Sequence, residues 1–266
     1  MSKPNIVLIV LDAVRHDHVS WHGYERNTTP VFDTIAENGV AYRYAFAPSI
    51  WTPTVHASIF TGEYPSHNGV YTGGLSLPKE QQVLPELLSD VGYQTFATSS
   101  GAHLRRDRGY ARGFDEYVES PRIKPTQEFL RHFLKDASYR KQVRYSLTRG
   151  PDDKTVHKFN RMRKFVSNNN TQFFCFINCK TAHQPWNPPR PYKSMYTPGF
   201  SRPQFEFIER LLKAAGRDGI SLEGYDIQRI RRVQDSYPVL ADEMELTEDE
   251  WGIIESWYDG AIRYLD

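Results

Sequence analysis

The sequence contains very little cysteine. Cys175 and Cys179 are the only two in 266 residues, and on a single strand their spacing would put them about 13 Å apart, too far for a disulfide. The chain is therefore expected to suit a reducing compartment or to be indifferent to redox conditions. A chain of this length can instead rely on its core, because folding one large domain of this size buries about 70 to 75% of the unfolded surface.

Long apolar runs and a net charge are also lacking. The longest apolar run, Ile6–Leu11, is far shorter than the roughly 20 residues of a membrane helix, and it leads into Asp12 rather than into a small-residue cleavage site. We therefore expect no signal peptide, no membrane span and a cytoplasmic protein. The sequons at Asn27 and Asn169 have little significance, because glycosylation requires secretion. A formal net charge of +1 gives no general attraction to nucleic acid or anionic membrane.

What the chain does have is alternating strand and helix patterns. The β-branched run Ile6–Leu11 is typical of a strand buried on both faces at the centre of a parallel sheet. Further strands are predicted at Val40–Phe46, Gln94–Ser99 and Phe173–Ile177, and helices at Thr29–Gly39, Thr52–Gly62 and Leu84–Val91. This alternation predicts an α/β fold with a mostly parallel central sheet flanked by helices.

Two stretches look peripheral, and the last helix runs to the end of the sequence. Residues 120–170 are basic and irregular, and residues 195–245 carry polar helical patterns, so both are expected to be insertions or a lid. Thr247 and Glu250 form a capping box that starts an amphipathic helix still running at Asp266. A helix without a C-cap suggests a fragment, although free C-terminal helices also occur.

Asp12 and Thr52 are the first candidate site residues. Asp12 follows the first predicted strand, and ligands of open α/β sheets bind beyond the carboxyl ends of strands; the alternative is a loop aspartate that caps a turn. Thr52 precedes Pro53 at the predicted start of a helix that Gly62 ends, where free amides and the helix dipole favour a phosphate or sulfate. The alternative is an ordinary threonine cap.

Several motifs together resemble the sulfatase family of the alkaline phosphatase superfamily, and the resemblance runs from end to end, weakest over 120–170 and 195–245. The motifs, in chain order, are residues 5–18 (NIVLIVLDAVRHDH), Thr29-Pro30, residues 47–70 around Thr61-Gly62, Gly92–Thr95, Arg112–Asp115, Ala182–Trp186 and Tyr258–Asp266. The resemblance implies an alkaline phosphatase-like fold, of which residues 1–266 would be one incomplete catalytic domain, the N-terminal part.

The resemblance also implies a divalent metal ion, Ca, Mg, Mn or Zn, at the carboxyl edge of the sheet. Asp12 matches the family's first metal ligand, and Thr52 falls at the position of the nucleophile, which is also a ligand. Many members carry a second aspartate where this chain has Ala13, so the match is to the branch with a single acid there. Arg15, Asp17 and His18 follow a recurrent pattern whose role would be to brace the metal loop.

The nucleophile of sulfatases is a Cys or Ser that is oxidised to formylglycine, but Thr52 is not a substrate for that maturation. The resemblance therefore implies direct attack by a threonine alkoxide, activated by the metal. His56 occupies the place of the family's Arg and would contact the nucleophile or the transferring group. His183 matches the His that contacts the oxyanion or leaving group and would supply a proton. His103 lies near a substrate-binding Lys and His of the family, but the Lys is absent.

The family's Asp-His-Gly pattern, which supplies two more metal ligands, does not occur. We expect the N-terminal part of a larger enzyme, or a naturally shortened inactive relative. The predicted function is metal-dependent hydrolysis of a small sulfate or phosphate ester. The alternatives are a phosphodiesterase or phosphoglycerol-type transferase of the same superfamily, and a non-catalytic anion-binding protein. No nucleic acid partner is expected, and the sequence leaves the oligomeric state open.

Overall fold

The structure is a computed structural model that describes residues 3–72, 74–99, 103–119, 155–183, 186, 188–197 and 245–266. The described residues form two compact units. The first unit takes those within Met1–Asp12, Tyr42–Gln142 and Asp153–Cys179, and the second takes those within Ala13–Ala41 and Lys180–Asp266. Most of the predicted insertions at 120–170 and 195–245 lies outside the described residues, as do positions 184 and 185 of the motif Ala182–Trp186.

A parallel sheet forms the centre of the first unit. Its strands are β1 (Ile6–Leu11), β2 (Gln94–Ser99), β3 (Glu116–Glu119) and β4 (Phe173–Cys179), in the order β1-β4-β2-β3. All three neighbouring pairs are parallel. The predicted α/β class with a parallel sheet is confirmed.

Six α-helices and four 3-10 helices occur among the described residues. The α-helices are α1 (Pro30–Glu37), α2 (Thr52–Thr61), α3 (Pro65–Asn68), α4 (Leu84–Asp90), α5 (Thr155–Ser167) and α6 (Glu248–Leu265). The 3-10 helices are His16–His18, Ser20–His22, Arg106–Arg108 and Tyr192–Ser194. None of these helices is long and apolar enough to span a membrane.

Strand β4 divides the core of the first unit in two, because successive side chains of a strand point to opposite faces. Phe174 and Phe176 join one cluster, where the Phe60 ring of α2 lies 5.0 Å from that of Phe176. Phe173 and Cys175 join the other, which packs against α5. Helices therefore cover both faces of β4. Both cysteines lie buried on this strand as free thiols, as their spacing predicts.

Among the described residues β1 pairs only with β4, so the predicted central position of β1 is not seen there, and Val7 is 47% and Ile9 36% exposed. The predicted strand Val40–Phe46 is wrong: this segment is irregular, and Tyr42, Tyr44 and Phe46 are each more than 75% exposed. An alternating pattern becomes a strand only when a neighbour pairs its backbone groups, and no described strand pairs with this one.

Helix α1 starts as predicted, but Thr29 does not cap it. The Thr29 hydroxyl donates to Asp33 (2.9 Å), and the Asp266 carboxylate instead accepts hydrogen bonds from the amides of Val31 and Phe32. The helix ends at Glu37, before the predicted Gly39. In α6, the predicted capping box of Thr247 and Glu250 is confirmed.

Gly260 of α6 is required by a close approach in the second unit. A Cβ at this position would collide with the main-chain carbonyl of Tyr192, whereas a Cβ at Gly252 of the same helix would meet nothing within 4 Å. We expect Gly260→Ala to lower the free energy of unfolding by about 1–3 kcal/mol through overpacking. Gly252→Ala should raise it by up to about 1 kcal/mol through helix propensity.

Urea unfolding of the two variants measures this difference, with Gly252→Ala as the matched control. Equal stability of Gly260→Ala and Gly252→Ala would contradict the close approach of the Tyr192 carbonyl to α6.

Candidate active site

The first unit brings Asp12 and Thr52 together at the carboxyl end of β1. The Asp12 amide donates to the Cys179 carbonyl (2.7 Å), which extends the pairing with β4 by one residue and fixes the backbone of Asp12. The Thr52 hydroxyl then donates to Oδ2 of Asp12 at 3.0 Å. The two side chains on which the predicted site depends therefore touch.

Helix α2 begins one residue earlier than the sequence suggests. Trp51, not Thr52, is the N-cap residue, and its side chain makes no capping hydrogen bond. Thr52 does not cap the helix because its hydroxyl is bonded to Asp12. The predicted helix end is confirmed, since Gly62 adopts a left-handed conformation (φ 72°) that closes α2.

His56 lies one turn along α2 and is buried. Its Nδ1 is 2.7 Å from the Thr52 carbonyl oxygen, which can only accept, so Nδ1 carries the proton. Its Nε2 is 3.4 Å from the side-chain nitrogen of Asn178 in β4, which can only donate. Burial lowers the pKa of His56, against the opposing effect of the Thr52 carbonyl. These contacts assign His56 as the neutral Nδ1–H tautomer.

Asp12 and Thr52 suit a hard divalent cation. Two oxygens bound to Mg²⁺ at about 2.1 Å and at right angles lie about 3.0 Å apart, and the Asp12–Thr52 separation is 3.0 Å. Carboxylate and hydroxyl oxygens are ligands that Mg²⁺, Ca²⁺ and Mn²⁺ accept. Within the described ranges no group of three or more His, Cys, Asp or Glu side chains could hold a metal. The pair thus fits as two ligands of a larger set.

His183 belongs to the second unit, which contains a cavity of about 540 Å³. The cavity is lined by Ala13, Arg15, His18, Ala182, His183, Trp186, Trp251, Ile254, Glu255 and Tyr258. Trp186 is fixed there by donating to the Ala182 carbonyl (2.8 Å) and by contacting the Tyr258 ring edge to face. His183 is exposed at this cavity, where a ligand can reach it.

The backbone directly after Asp12 is strained. Ala13 has φ 64°, a left-handed conformation that costs a non-glycine residue about 1 kcal/mol or more. The Tyr258 hydroxyl holds this turn, donating to the Ala13 carbonyl and accepting from the Arg15 amide, both at 2.7 Å. Burial raises the pKa of Tyr258 to about 12, so its proton stays in place. Such strain is typical of functional sites.

A buried charge cluster lies beside the cavity and was missed by sequence reasoning. Asp259 is fully buried and accepts from His18 Nδ1 (2.7 Å), the Tyr24 hydroxyl (2.8 Å) and Arg26 (2.6 Å). Desolvation opposes the charge of Arg26, but its bond to Asp259 helps to give a net raised pKa. The sequence does contain one signal for this cluster: Asp259 is an acid on the apolar side of α6, four residues after Glu255.

The predicted bracing residues divide into two groups. His18 is fixed by Asp259, whereas Arg15 and Asp17 form an ion pair with each other at the surface. His103 is exposed in the first unit, beside residues outside the described ranges. The substrate-binding role of His103 stays a prediction, as do the catalytic roles of Thr52, His56 and His183.

Comparisons with known proteins agree with the predicted family. The sulfatase family profile matches residues 4–238. An ulvan-active sulfatase from Formosa agariphila is 27% identical over 205 residues, which cover 74% of this chain and 39% of that protein. The chain therefore spans about two fifths of that relative's length.

Solved structures show the same fold. A phosphonate monoester hydrolase of Agrobacterium radiobacter has a TM-score of 0.64 at 19% identity, covering 99% of this chain and 57% of the other. The zinc complex of the C-terminal periplasmic domain of EcEptC from Escherichia coli has a TM-score of 0.53 at 15% identity, covering 100% and 57%. The alkaline phosphatase-like fold is confirmed, and with most of its length matched by the family profile the chain belongs to the sulfatase family.

Proposed function

We propose that this chain supplies the nucleophile and the first metal ligand of a metal-dependent hydrolase of sulfate or phosphate esters. The observation that carries the proposal is the 3.0 Å hydrogen bond from Thr52 Oγ1 to Asp12 Oδ2, at the start of α2 and the carboxyl end of β1. The matched sulfatases act on sulfate esters, as the name of the ulvan-active enzyme indicates. Because the chain spans only part of these relatives, the proposal concerns the activity of the whole protein.

In this proposal each group has a separate task. Near the start of α2 the amides of Thr52 and Thr54 would donate to an anionic oxygen of the ester, because Pro53 has no N–H and the Val55 amide bonds to the Trp51 carbonyl. Thr52 Oγ1 would form the new bond to sulfur or phosphorus while the bond to the alcohol oxygen breaks. The Thr52 proton points at Asp12 Oδ2, which is its acceptor in this structure. A divalent cation bound by Asp12 and Thr52 would lower the pKa of the hydroxyl and offset negative charge.

Threonine at the nucleophile position also supports the related transferase reaction. An alkoxide nucleophile leaves a covalent ester on Thr52, and a second alcohol in place of water would then receive the group. This alternative uses the same Asp12–Thr52 pair and differs only in the final acceptor.

The test compares two esters on the protein expressed from its complete reading frame. After chelation, p-nitrophenyl sulfate and bis-p-nitrophenyl phosphate are each assayed with Mg²⁺, Ca²⁺, Mn²⁺ or Zn²⁺ added back singly. We expect p-nitrophenol release to depend on one or more of these ions and to favour one ester. A folded protein that released p-nitrophenol from neither ester with any of the four ions would contradict hydrolysis and favour the anion-binding alternative.

A further inference from the structure

The start of α2 lacks the usual means of fixing a helix end. Trp51 contributes no side-chain cap, and the hydroxyl of Thr52 is bonded to Asp12. A lost cap ordinarily costs a helix about 1 kcal/mol and loosens its first turn. Because Thr52 lies in that turn, the position of Oγ1 relative to Asp12 depends on other contacts that hold the turn.

Two buried side chains make those contacts through main-chain carbonyls. His56 Nδ1 donates to the Thr52 carbonyl at 2.7 Å, and the Tyr110 hydroxyl donates to the Pro53 carbonyl at 2.8 Å. His56 is 2% exposed and Tyr110 fully buried, so water does not compete for either bond. The first turn is therefore held from inside the protein.

The His56 bond requires a particular tautomer, which Asn178 provides. Asn178 lies in β4 on the same face as Phe176, because the two are two positions apart along the strand. The edge of Phe176 packs against the His56 ring, with centroids 5.7 Å apart, while the Asn178 amide donates to Nε2 at 3.4 Å. An acceptor role for Nε2 leaves the proton on Nδ1, where it bonds to the Thr52 carbonyl.

The backbone at Asn178 is held by a buried lysine. Asn178 is 2% exposed, and its main-chain carbonyl accepts from Nζ of Lys158, a fully buried residue of α5. Burying an amide and an imidazole is costly unless each finds a partner, and an apolar pair would fill the space more cheaply. What the polar pair adds over an apolar pair is a fixed orientation of the His56 ring.

We propose that Asn178 and His56 form a positioning pair for Thr52: Asn178 selects the Nδ1–H tautomer, and His56 clamps the Thr52 carbonyl so that Oγ1 stays against Asp12. In this role His56 acts through the main chain of Thr52 and does not need to touch the substrate. The functional part of this inference rests on the proposed function.

Two His56 variants separate the two contacts. Asparagine places an N–H at the position of Nδ1 and keeps the clamp, whereas glutamine places its polar atoms near the position of Nε2 and loses the clamp. With the ester preferred by the wild type, we expect His56→Asn to keep kcat within about tenfold of wild type, and His56→Gln to lose about 100-fold or more in kcat at a similar KM. Equal kcat values for the two variants would overturn the proposal.

Two measurements need no activity. In ¹⁵N-histidine NMR spectra of the wild type, His56 should show a protonated Nδ1 and an unprotonated Nε2; the opposite tautomer would overturn the proposal. In His56→Gln, amide exchange should accelerate about tenfold at Val55, in the first turn, and stay unchanged at Gly62 at the far end of α2. Equal acceleration at both ends would indicate general destabilisation and contradict a local clamp.

These readouts also separate the two proposals. If the wild type turned over neither ester, the proposed function would fail, while the tautomer and the exchange rates would still decide whether Asn178 and His56 position Thr52.

Discussion

Thr52→Ala is expected to reduce ester turnover by about 10⁴-fold or more, the scale seen when the attacking oxygen of a hydrolase is removed. The variant loses the Thr52 hydroxyl, the oxygen of α2 that is hydrogen-bonded to Asp12 Oδ2 at 3.0 Å. The fold should persist, because alanine is the best helix former and Pro53 and Gly62 still define the helix. The measurement is kcat for the preferred ester, with circular dichroism as a check on folding.

Two controls make the Thr52→Ala result specific. Thr52→Ser keeps the oxygen, so its kcat should stay within about 10- to 100-fold of wild type. Thr61→Ala removes the same atoms at the other end of α2, where the hydroxyl, within the part of the chain that the structure describes, bonds to the Ala57 carbonyl and the Glu63 amide, and its kcat should be unchanged. Full turnover in Thr52→Ala would remove this residue from the role of nucleophile.

Local sequence signals predict Asp12 at a strand end and Thr52 at a helix start, whereas their pairing in one site follows from the family resemblance. An apolar run ending in an acid predicts β1 and Asp12, and proline near the start with glycine at the end predicts α2. Both signals depend on a few neighbouring residues, so contacts with distant residues do not remove the predicted strand or helix. The offset of one residue at the start of α2 arises because the Thr52 hydroxyl bonds to a distant carboxylate, which a local capping rule cannot include.

The errors concern properties that depend on distant residues. Among the described residues β1 has β4 as its single partner, and which strands pair with β1 is not encoded in Ile6–Leu11 itself. Asn178 was overlooked because the predicted strand stopped at Ile177, while β4 continues to Cys179. Asp259 lies in the motif Tyr258–Asp266, but its role could not be predicted, because its three partners come from a segment more than 230 residues away.

Asp259→Ala is expected to lower the free energy of unfolding of the second unit by about 3–5 kcal/mol, the cost of breaking a buried ion pair. The variant would leave His18, Tyr24 and Arg26 without their shared acceptor in a buried setting. Arg26 is one quarter exposed, so solvent will recover part of this cost. Urea unfolding monitored by tryptophan fluorescence measures the change, since Trp251 and Trp257 lie on the same helix as Asp259.

A surface ion pair in the same unit provides the matched control. Asp17 is paired with Arg15, and both side chains are more than 60% exposed, so Asp17→Ala should change stability by less than about 1 kcal/mol. In the double variant Asp259→Ala, Arg26→Met no unpaired guanidinium remains, and the loss should be smaller than the sum of the two single losses. Additive losses would mean that Arg26 and Asp259 do not stabilise each other. A loss below about 1 kcal/mol in Asp259→Ala alone would contradict the buried cluster, because removing a fully buried acceptor from three donors costs more than that.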